Sequence, residues 1–141
     1  INLRQHYFNE EIVCNSMNKA DILKINDEEI IVVAEMLNIT GKSQKEICEV
    51  LLDRFALKMV ILTCGDKGSY VLTAQESSWV DTPKVNVVST VGAGDSFTGT
   101  FIASILLGKT IRQAHEAAVR VSAYVCTCQG AMPAIPQDLL F

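Results

Sequence analysis

The sequence predicts an α/β fold with a parallel pair of strands. The apolar run DILKI at 21–25 is followed at once by an Asp-Glu-Glu helix start. The run KMVILTC at 58–64 is apolar throughout, as in a strand that is covered on both faces. Two helical segments separate these runs, and the order strand, helices, strand is typical of a parallel α/β unit.

The remaining elements follow from apolar periodicity and from capping signals. Runs at 69–74 and 77–82, separated by Gln75 and Glu76, predict a hairpin-like pair of strands. Ser43 and Glu46 have the spacing of a capping box. Helices are predicted over residues 9–19, 27–37, 43–56, 96–107 and 110–127. The last of these helices is expected to end before Gly130 and Pro133.

Composition narrows the class of protein. With 141 residues, 49% hydrophobic and 20% charged, the chain predicts one globular domain over residues 1–141. A net charge of −4 without a Lys/Arg cluster argues against nucleic acid and membrane partners, and no apolar run approaches the ~20 residues that span a bilayer. Five cysteines without a CxxC pair predict reduced, mostly buried thiols in a cytoplasmic protein. His6 and His115 have no ligand spacing and are assigned to structure or surface.

The stretch VGAGDSFTG at 91–99 is the part of the sequence that most clearly indicates a functional site. Gly92, Gly94 and Gly99 surround Asp95 directly before a helix, which suggests backbone that passes close to a bound group. The free N–H groups and the dipole of a helix start suit an anion. A carboxylate would repel phosphate there, unless it serves as a general base. The alternative is a structural turn in which Asp95 only starts the helix.

These residues resemble a known family in several places. VGAGDSFTG resembles the C-terminal signature of the ribokinase-like (PfkB) carbohydrate kinases. Four further pieces agree in order with that family: Asn2 and Arg4 of INLR, Asn26 and Glu29 of ADILKINDEE, Thr63, Gly65 and Gly68 of LTCGDKGSYV, and Gly130-Ala131 with Pro133 or Pro136. Together they cover nearly the whole chain, although the second and third pieces are weak when taken alone.

The resemblance implies a ribokinase-like, doubly wound, mostly parallel α/β sheet, of which this chain is the C-terminal portion. The N-terminal part of the family's domain and its small β lid are expected to be absent, so that the chain is a truncated nucleotide-binding and catalytic portion. The resemblance makes Asp95 the general base. It makes the turn from Gly92, through the N–H groups of Ala93, Gly94 and Asp95, the anion hole for the transferred phosphoryl group.

The resemblance also assigns residues to ATP, Mg²⁺ and the substrate. Asn26 and Glu29 position Mg²⁺ through water, and Arg4 contacts the substrate. The adenine lies between the loop before Gly92 and the helix at 118–122. The nucleotide-binding residues are Lys24, Asn26, Thr63, Gly65, Gly68 and Ser122. The residues alone leave three alternatives open: Glu29 as a first-turn carboxylate, Lys24 as a solvated charge, and Thr63 as an ordinary strand residue.

The function implied is ATP-dependent transfer of the γ-phosphoryl group to a sugar hydroxyl, as in fructokinases. Alternatives are a ribokinase-like or nucleoside kinase, or a nucleotide-binding fragment without turnover. The family commonly has Asp at the position of Ser89 and links it to a monovalent-cation site, so K⁺ activation is doubtful. A small-molecule sugar is the expected partner, and a homodimer remains open.

Overall fold

The computed structural model describes residues 1–3, 5 and 7–140 of the chain. Its α-helices and strands are α1 (Glu10–Met17), β1 (Ile22–Asn26), α2 (Glu29–Met36), α3 (Gln44–Arg54), β2 (Met59–Thr63), β3 (Ser69–Leu72), β4 (Ser77–Val80), α4 (Ala93–Leu106), α5 (Ile111–Cys126) and α6 (Gln137–Leu140), and a short 3-10 helix covers Gly65–Lys67. The four strands form one sheet in the order β1-β2-β3-β4. Arg4, the predicted substrate contact, and His6 lie outside the described residues.

The chain divides into two compact units. The first unit contains Ile1–Gly65 and Tyr70–Ser77, and the second contains Asp66–Ser69 and the residues from Ser78 onward. The sequence predicts a single truncated domain over residues 1–141, which stays a prediction. In the part of the chain that the structure describes, no helix is both long enough and apolar enough to cross a membrane.

The first unit confirms the predicted parallel α/β arrangement. β1 and β2 pair in parallel, with a register that runs from Ile22 opposite Met59 to Asn26 opposite Thr63. The first four residues of β2 are buried, as expected of a strand that is covered on both faces. The capping box at the start of α3 is present, since Ser43 Oγ accepts from the Glu46 N–H and Glu46 Oε2 accepts from the Ser43 N–H.

The predicted hairpin is also present. β3 and β4 are neighbours in the sheet, and a turn closed by the Thr73 N–H and the Glu76 carbonyl at 2.9 Å precedes β4. The Thr73 hydroxyl donates to the same carbonyl and accepts from the N–H groups of Gln75 and Glu76. The side chain of Thr73 therefore holds together the four-residue turn, 73–76, that connects the strands.

Two helices of the second unit differ from the sequence expectation. α4 begins at Ala93 rather than at 96, because the residues before Phe97 carry no apolar periodicity although the backbone is already helical. The short α6 was not predicted, because Pro133 and Pro136 indicate the end of regular structure. Pro136 instead directly precedes α6, and its carbonyl accepts from the Leu139 N–H. α5 begins at a capping box of Thr110 and Gln113.

His115 joins three elements of the second unit. Its ring is fully buried, with Nε2 2.7 Å from Ser69 Oγ and Nδ1 2.9 Å from Ser78 Oγ. The ring also meets Phe97 of α4 edge to face, with centroids 6.0 Å apart. Each serine hydroxyl can donate or accept, so a neutral imidazole is satisfied on both sides. The structural assignment of His115 is therefore supported by its contacts.

Of the five cysteines, Cys48 and Cys64 are buried and the other three are half-buried, so burial is less complete than the sequence suggests. Burial is the main reason why the pKa of Cys48 rises to about 12. A thiol with that pKa stays protonated at neutral pH and packs as a small apolar side chain.

The buried His115 predicts a loss of stability in acid. Burial, and to a lesser extent the Arg112 guanidinium, lowers its pKa from 6.5 to about 4, against the opposing effect of Glu116. Below pH 6.5 the unfolded chain therefore takes up a proton that the folded chain does not. We expect the free energy of unfolding to fall by about 2 to 3 kcal/mol between pH 6.5 and pH 4 from this group.

Urea unfolding of the wild type and of His115→Asn across this pH range measures the effect. The variant lacks the imidazole, so its unfolding free energy should change less with pH than that of the wild type. Equal pH dependence in both proteins would contradict the assignment.

Candidate functional site

The glycine turn lies at the start of α4 in the second unit. Gly92 adopts a left-handed conformation, with φ at +85°. A Cβ atom on Gly92 would lie 2.3 Å from the carbonyl oxygen of Ala131 and 2.8 Å from its Cα. The backbone of Ala131 by itself leaves no room for a side chain at position 92, and the predicted bound group beside the turn stays a prediction. The contact joins two pieces of the family resemblance, the glycine turn and Gly130-Ala131.

The loop that precedes the glycine turn is hydrogen-bonded to the end of α5. The N–H groups of Val88 and Ser89 both donate to the Cys126 carbonyl, at 2.8 and 3.2 Å. The Ser89 hydroxyl accepts from the Val91 N–H at 3.2 Å. Sequence reasoning did not find the role of Cys126, because a backbone carbonyl leaves no residue-type signal. These bonds determine where the chain enters the turn.

The first turn of α4 presents backbone N–H groups to the outside. The Ser96 N–H donates to the Gly92 carbonyl at 2.9 Å, the first hydrogen bond of the helix. The N–H groups of Gly94 and Asp95 have no intrahelical acceptor by the geometry of a helix start, and both residues are exposed. The Ala93 N–H donates to the Thr90 carbonyl at 3.2 Å. Of the three predicted anion donors, Gly94 and Asp95 thus face outward, whereas Ala93 is engaged within the loop.

The carbonyl of Ala93 accepts two hydroxyl hydrogen bonds. Ser96 Oγ donates to it at 2.9 Å from within α4, and Ser122 Oγ donates to it at 3.0 Å from α5. Ser122 is half-buried, and its hydroxyl bonds to the glycine turn. Its predicted contact with nucleotide stays a prediction. The structure therefore brings Gly92, Ala93, Gly94, Asp95 and Ser122 together within the second unit.

In the first unit, Asn26 and Glu29 bond to each other's backbone. Asn26 Oδ1 accepts from the N–H groups of Glu28 and Glu29, at 3.0 and 2.7 Å. Glu29 Oε2 accepts from the Asn26 N–H at 3.0 Å, and Oε1 accepts from the Leu3 N–H at 3.1 Å. This reciprocal pair caps α2 in the manner of a capping box, so the N-x-x-E spacing has a structural use. The predicted role in holding Mg²⁺ is a separate proposal.

Thr63 lies beside this pair at the carboxyl end of β2. It is opposite Asn26 in the parallel register, and its carbonyl accepts from the Asp27 N–H at 3.0 Å. Lys24 lies on β1 opposite Ile61 and, like Thr63, is half-buried. The carboxyl ends of parallel strands are where α/β folds place ligand-binding loops. The first unit therefore brings Asn26, Glu29 and Thr63 together at one edge of the strand pair.

The two glycines of the T-x-G-x-x-G piece differ in their surroundings. Gly65 is exposed, has φ at +56°, and a Cβ on it would meet nothing within 4 Å. Gly68 is buried in the second unit, where a Cβ would lie 2.6 Å from the Val80 carbonyl oxygen and 2.8 Å from Cζ2 of Trp79. Packing therefore explains Gly68 directly, whereas at Gly65 only the left-handed backbone favours glycine.

No preformed metal cluster is present among the residues that the structure describes, in the sense of three or more His, Cys, Asp or Glu side chains placed to share an ion. A cavity of about 150 Å³ lies between α4, α5 and α6 and is lined by residues such as Ser104, Gln113 and Arg120. None of the predicted site residues lines this cavity, so it does not coincide with the glycine turn.

A sequence profile for the family described as pfkB family carbohydrate kinase matches residues 6–138 of the chain. The chain belongs to this family. The resemblance inferred from the glycine turn is therefore confirmed over almost the whole sequence, as is the ribokinase-like α/β fold.

The pfkB chain is similar to curated plant fructokinases. It is 34% identical over 128 residues to probable fructokinase-5 of Arabidopsis thaliana, covering 84% of this chain and 37% of that protein. It is 30% identical over 142 residues to fructokinase-2 of Zea mays, covering 92% of this chain and 41% of that protein. The chain thus spans about two-fifths of the length of these relatives.

Solved structures give the same fold. A ribokinase from Thermotoga maritima superposes with a TM-score of 0.80 and 28% identity, over 96% of this chain and 44% of that one. An Escherichia coli protein described as a ribokinase II candidate, crystallised with ATP and Mg²⁺, gives a TM-score of 0.77 and 24% identity, over 86% of this chain and 38% of that one. At this identity, the second comparison supports the fold alone.

The contact between Gly92 and Ala131 predicts that Gly92→Ala is destabilising. A left-handed conformation costs alanine about 1–2 kcal/mol, and the backbone of Ala131 must also move, so we expect a loss of at least about 2 kcal/mol in the free energy of unfolding. Gly99→Ala is the matched control, because Gly99 is exposed inside α4 with open space around its Cβ position. That variant should gain about 0.5–1 kcal/mol. Chemical denaturation measures both changes, and a neutral Gly92→Ala would refute the steric argument.

Proposed function

We propose that this chain is the nucleotide-binding and catalytic portion of an ATP-dependent kinase that phosphorylates a sugar hydroxyl. One observation carries the proposal: the exposed carboxylate of Asp95 belongs to the same first turn of α4 as the outward N–H groups of Gly94 and Asp95. The N–H groups of this turn can therefore bind an anion while the carboxylate accepts a proton from a neighbouring hydroxyl group. A turn that only bound phosphate would gain nothing from a carboxylate at this position.

In the proposed reaction, Asp95 accepts the proton of the sugar hydroxyl as that oxygen attacks the γ-phosphorus of ATP. A new bond forms between the sugar oxygen and the γ-phosphorus, the bond from that phosphorus to the bridging β–γ oxygen breaks, and ADP leaves. The N–H groups of Gly94 and Asp95, aided by the dipole of the 14-residue helix α4, stabilise the negative charge on the phosphoryl oxygens. Positioning and charge stabilisation supply most of the rate.

Asn26 and Glu29 are the proposed holders of Mg²⁺, through water. Each Glu29 oxygen accepts one backbone N–H, and a carboxylate has about four acceptor positions, so capacity remains for ordered water. Carboxylate and amide oxygens suit Mg²⁺, which keeps most of its own waters. Mg²⁺ would neutralise phosphate charge when bound. A structure of the same fold from Escherichia coli was crystallised with ATP and Mg²⁺, which is consistent with this proposal.

The remaining nucleotide contacts are proposed from the family resemblance. They are Lys24, Thr63, Gly65, Gly68 and Ser122, together with Asn26. For the acceptor we propose fructose, because the curated relatives of this chain are fructokinases. A ribose or nucleoside acceptor is the alternative, and of these two the 28% identical ribokinase favours ribose.

An ADP-release assay on the full-length protein that contains this chain tests the proposal. Fructose, ribose, 2-keto-3-deoxygluconate and adenosine are supplied one at a time with ATP and Mg²⁺. We expect fructose to drive ADP release above the background without acceptor. Release driven by another member of the panel would change the proposed substrate but would still support the proposed kinase activity. ATP binding without acceptor-dependent release would contradict the proposed function.

Asp95→Asn should lower kcat by roughly 10²- to 10⁴-fold, because an amide cannot accept the hydroxyl proton. The affinity for ATP should change little, since the N–H groups of the turn remain. Asp53→Asn, which alters an exposed carboxylate on α3, serves as the control and should retain full activity. A rate for Asp95→Asn within a few-fold of the wild type would end the assignment of the base.

Glu29→Gln separates the metal role from the capping role. If Glu29 positions Mg²⁺, the variant should need a higher Mg²⁺ concentration and should recover part of its activity when Mg²⁺ is raised. A role in capping alone would lower stability without changing the dependence on Mg²⁺. Glu28→Gln is the neighbouring control, because Glu28 is exposed and makes no side-chain cap. A titration of initial rate against Mg²⁺ distinguishes the two results.

A further inference from the structure

We infer that Ser122 is a positioning residue for phosphoryl transfer, acting on the N–H group of Gly94 through the carbonyl of Ala93. The inference deepens the proposed function and rests on it. The family resemblance gives Ser122 a place near the nucleotide, whereas the hydrogen bonds of the structure give its hydroxyl a specific partner in the glycine turn.

The contacts are direct. Ser122 Oγ on α5 donates to the Ala93 carbonyl oxygen at 3.0 Å. Ala93 is the first residue of α4, and its carbonyl belongs to the same peptide group as the N–H of Gly94. Since a peptide group is planar, a hydrogen bond that holds the oxygen on one side also orients the N–H on the other. Ser122 therefore acts on the donor that faces outward from the turn.

The same bond changes the strength of the donor as well as its direction. A hydrogen bond to a carbonyl polarises the peptide group and makes its N–H a better donor, which is the ordinary cooperativity of hydrogen-bond chains. The chain here runs from the Ser122 hydroxyl to the Ala93 carbonyl and then through the Gly94 N–H to the anion. Ser96 Oγ donates to the same carbonyl at 2.9 Å and adds to this effect from within α4.

Packing alone does not require a hydroxyl at position 122. One turn earlier on α5, Ala118 is fully buried, and Val121 and Ala123 on either side of Ser122 are buried as well. Alanine is thus sufficient for close packing along this helix, and Ser122 is itself only half-buried. The hydroxyl adds one interaction, the bond that crosses from α5 to the glycine turn.

Kinetics of the full-length protein test the inference with two variants of Ser122. Ser122→Ala removes the hydroxyl and should lower kcat roughly 3- to 10-fold, the effect of one neutral hydrogen bond, and should change kcat more than the KM for ATP. Ser122→Thr keeps a hydroxyl and should restore most of kcat. Ser16→Ala is the control, because the Ser16 hydroxyl donates to the Ile12 carbonyl within α1, and this variant should keep the wild-type kcat.

The amide resonance of Gly94 provides a readout that does not depend on turnover. Loss of the hydrogen bond to the Ala93 carbonyl should shift the ¹⁵N signal of Gly94 in Ser122→Ala, whereas the signal should stay near its wild-type position in Ser122→Thr. An unchanged signal in Ser122→Ala would overturn the inference.

The kinetic outcomes separate this inference from the proposed function. If the wild type phosphorylates a sugar and Ser122→Ala has the same kcat, the positioning role is wrong and the kinase stands. If Ser122→Ala loses only thermal stability and keeps kcat, its role is structural and the inference is again wrong. A wild type without acceptor-dependent ADP release overturns the proposed function, and this inference with it.

Discussion

Gly92 and Ala131 touch at a distance that leaves no room for a side chain, and this contact sets the geometry of the proposed catalytic turn. The left-handed backbone at Gly92 ends the loop and starts α4 at Ala93. Because α4 starts there, the N–H groups of Gly94 and Asp95 lie in its first turn and point outward. The Asp95 carboxylate is then placed in that same turn. A shift in the helix start would move both kinds of group together.

Several hydrogen bonds hold this turn from the outside. The Cys126 carbonyl receives the N–H groups of Val88 and Ser89, and the Ser122 hydroxyl reaches the Ala93 carbonyl. The Cys126 carbonyl and the Ser122 hydroxyl both belong to α5, so this one helix holds both the loop and the start of α4. Charge stabilisation of a transition state depends on donors that do not reorient during the reaction. A turn fixed at its entrance, at Gly92 and at Ala93 meets that requirement.

The motif residues of the first unit stabilise the fold and still have acceptor positions at which a ligand can bind. Asn26 and Glu29 cap α2 reciprocally, and Thr63 receives the N–H of Asp27 through its carbonyl. These bonds use backbone N–H groups and single lone pairs, so the carboxylate of Glu29 retains acceptor positions. A capping role and a proposed Mg²⁺ role are therefore compatible in the same side chain.

The sequence predicts the parallel strand pair, the hairpin and the capping box of Ser43 and Glu46, because these depend on apolar runs and on residues three apart. It does not predict the start of α4, since Gly-Ala-Gly-Asp has weak helix propensity and no apolar period. Contacts that join distant positions also leave no local pattern. Examples are Gly92 with Ala131, Gly68 with Trp79, and Ser122 with Ala93, each of which becomes visible only in the folded chain.

The central claim is that the turn from Gly92 to Asp95 is the centre of phosphoryl transfer. A crystal structure of the full-length protein with a non-hydrolysable ATP analogue, Mg²⁺ and fructose tests it most directly. The account predicts a sugar hydroxyl oxygen within about 2.6–3.2 Å of an Asp95 carboxylate oxygen, with the terminal phosphate at the N–H groups of Gly94 and Asp95. A sugar or a terminal phosphate bound away from this turn would contradict it.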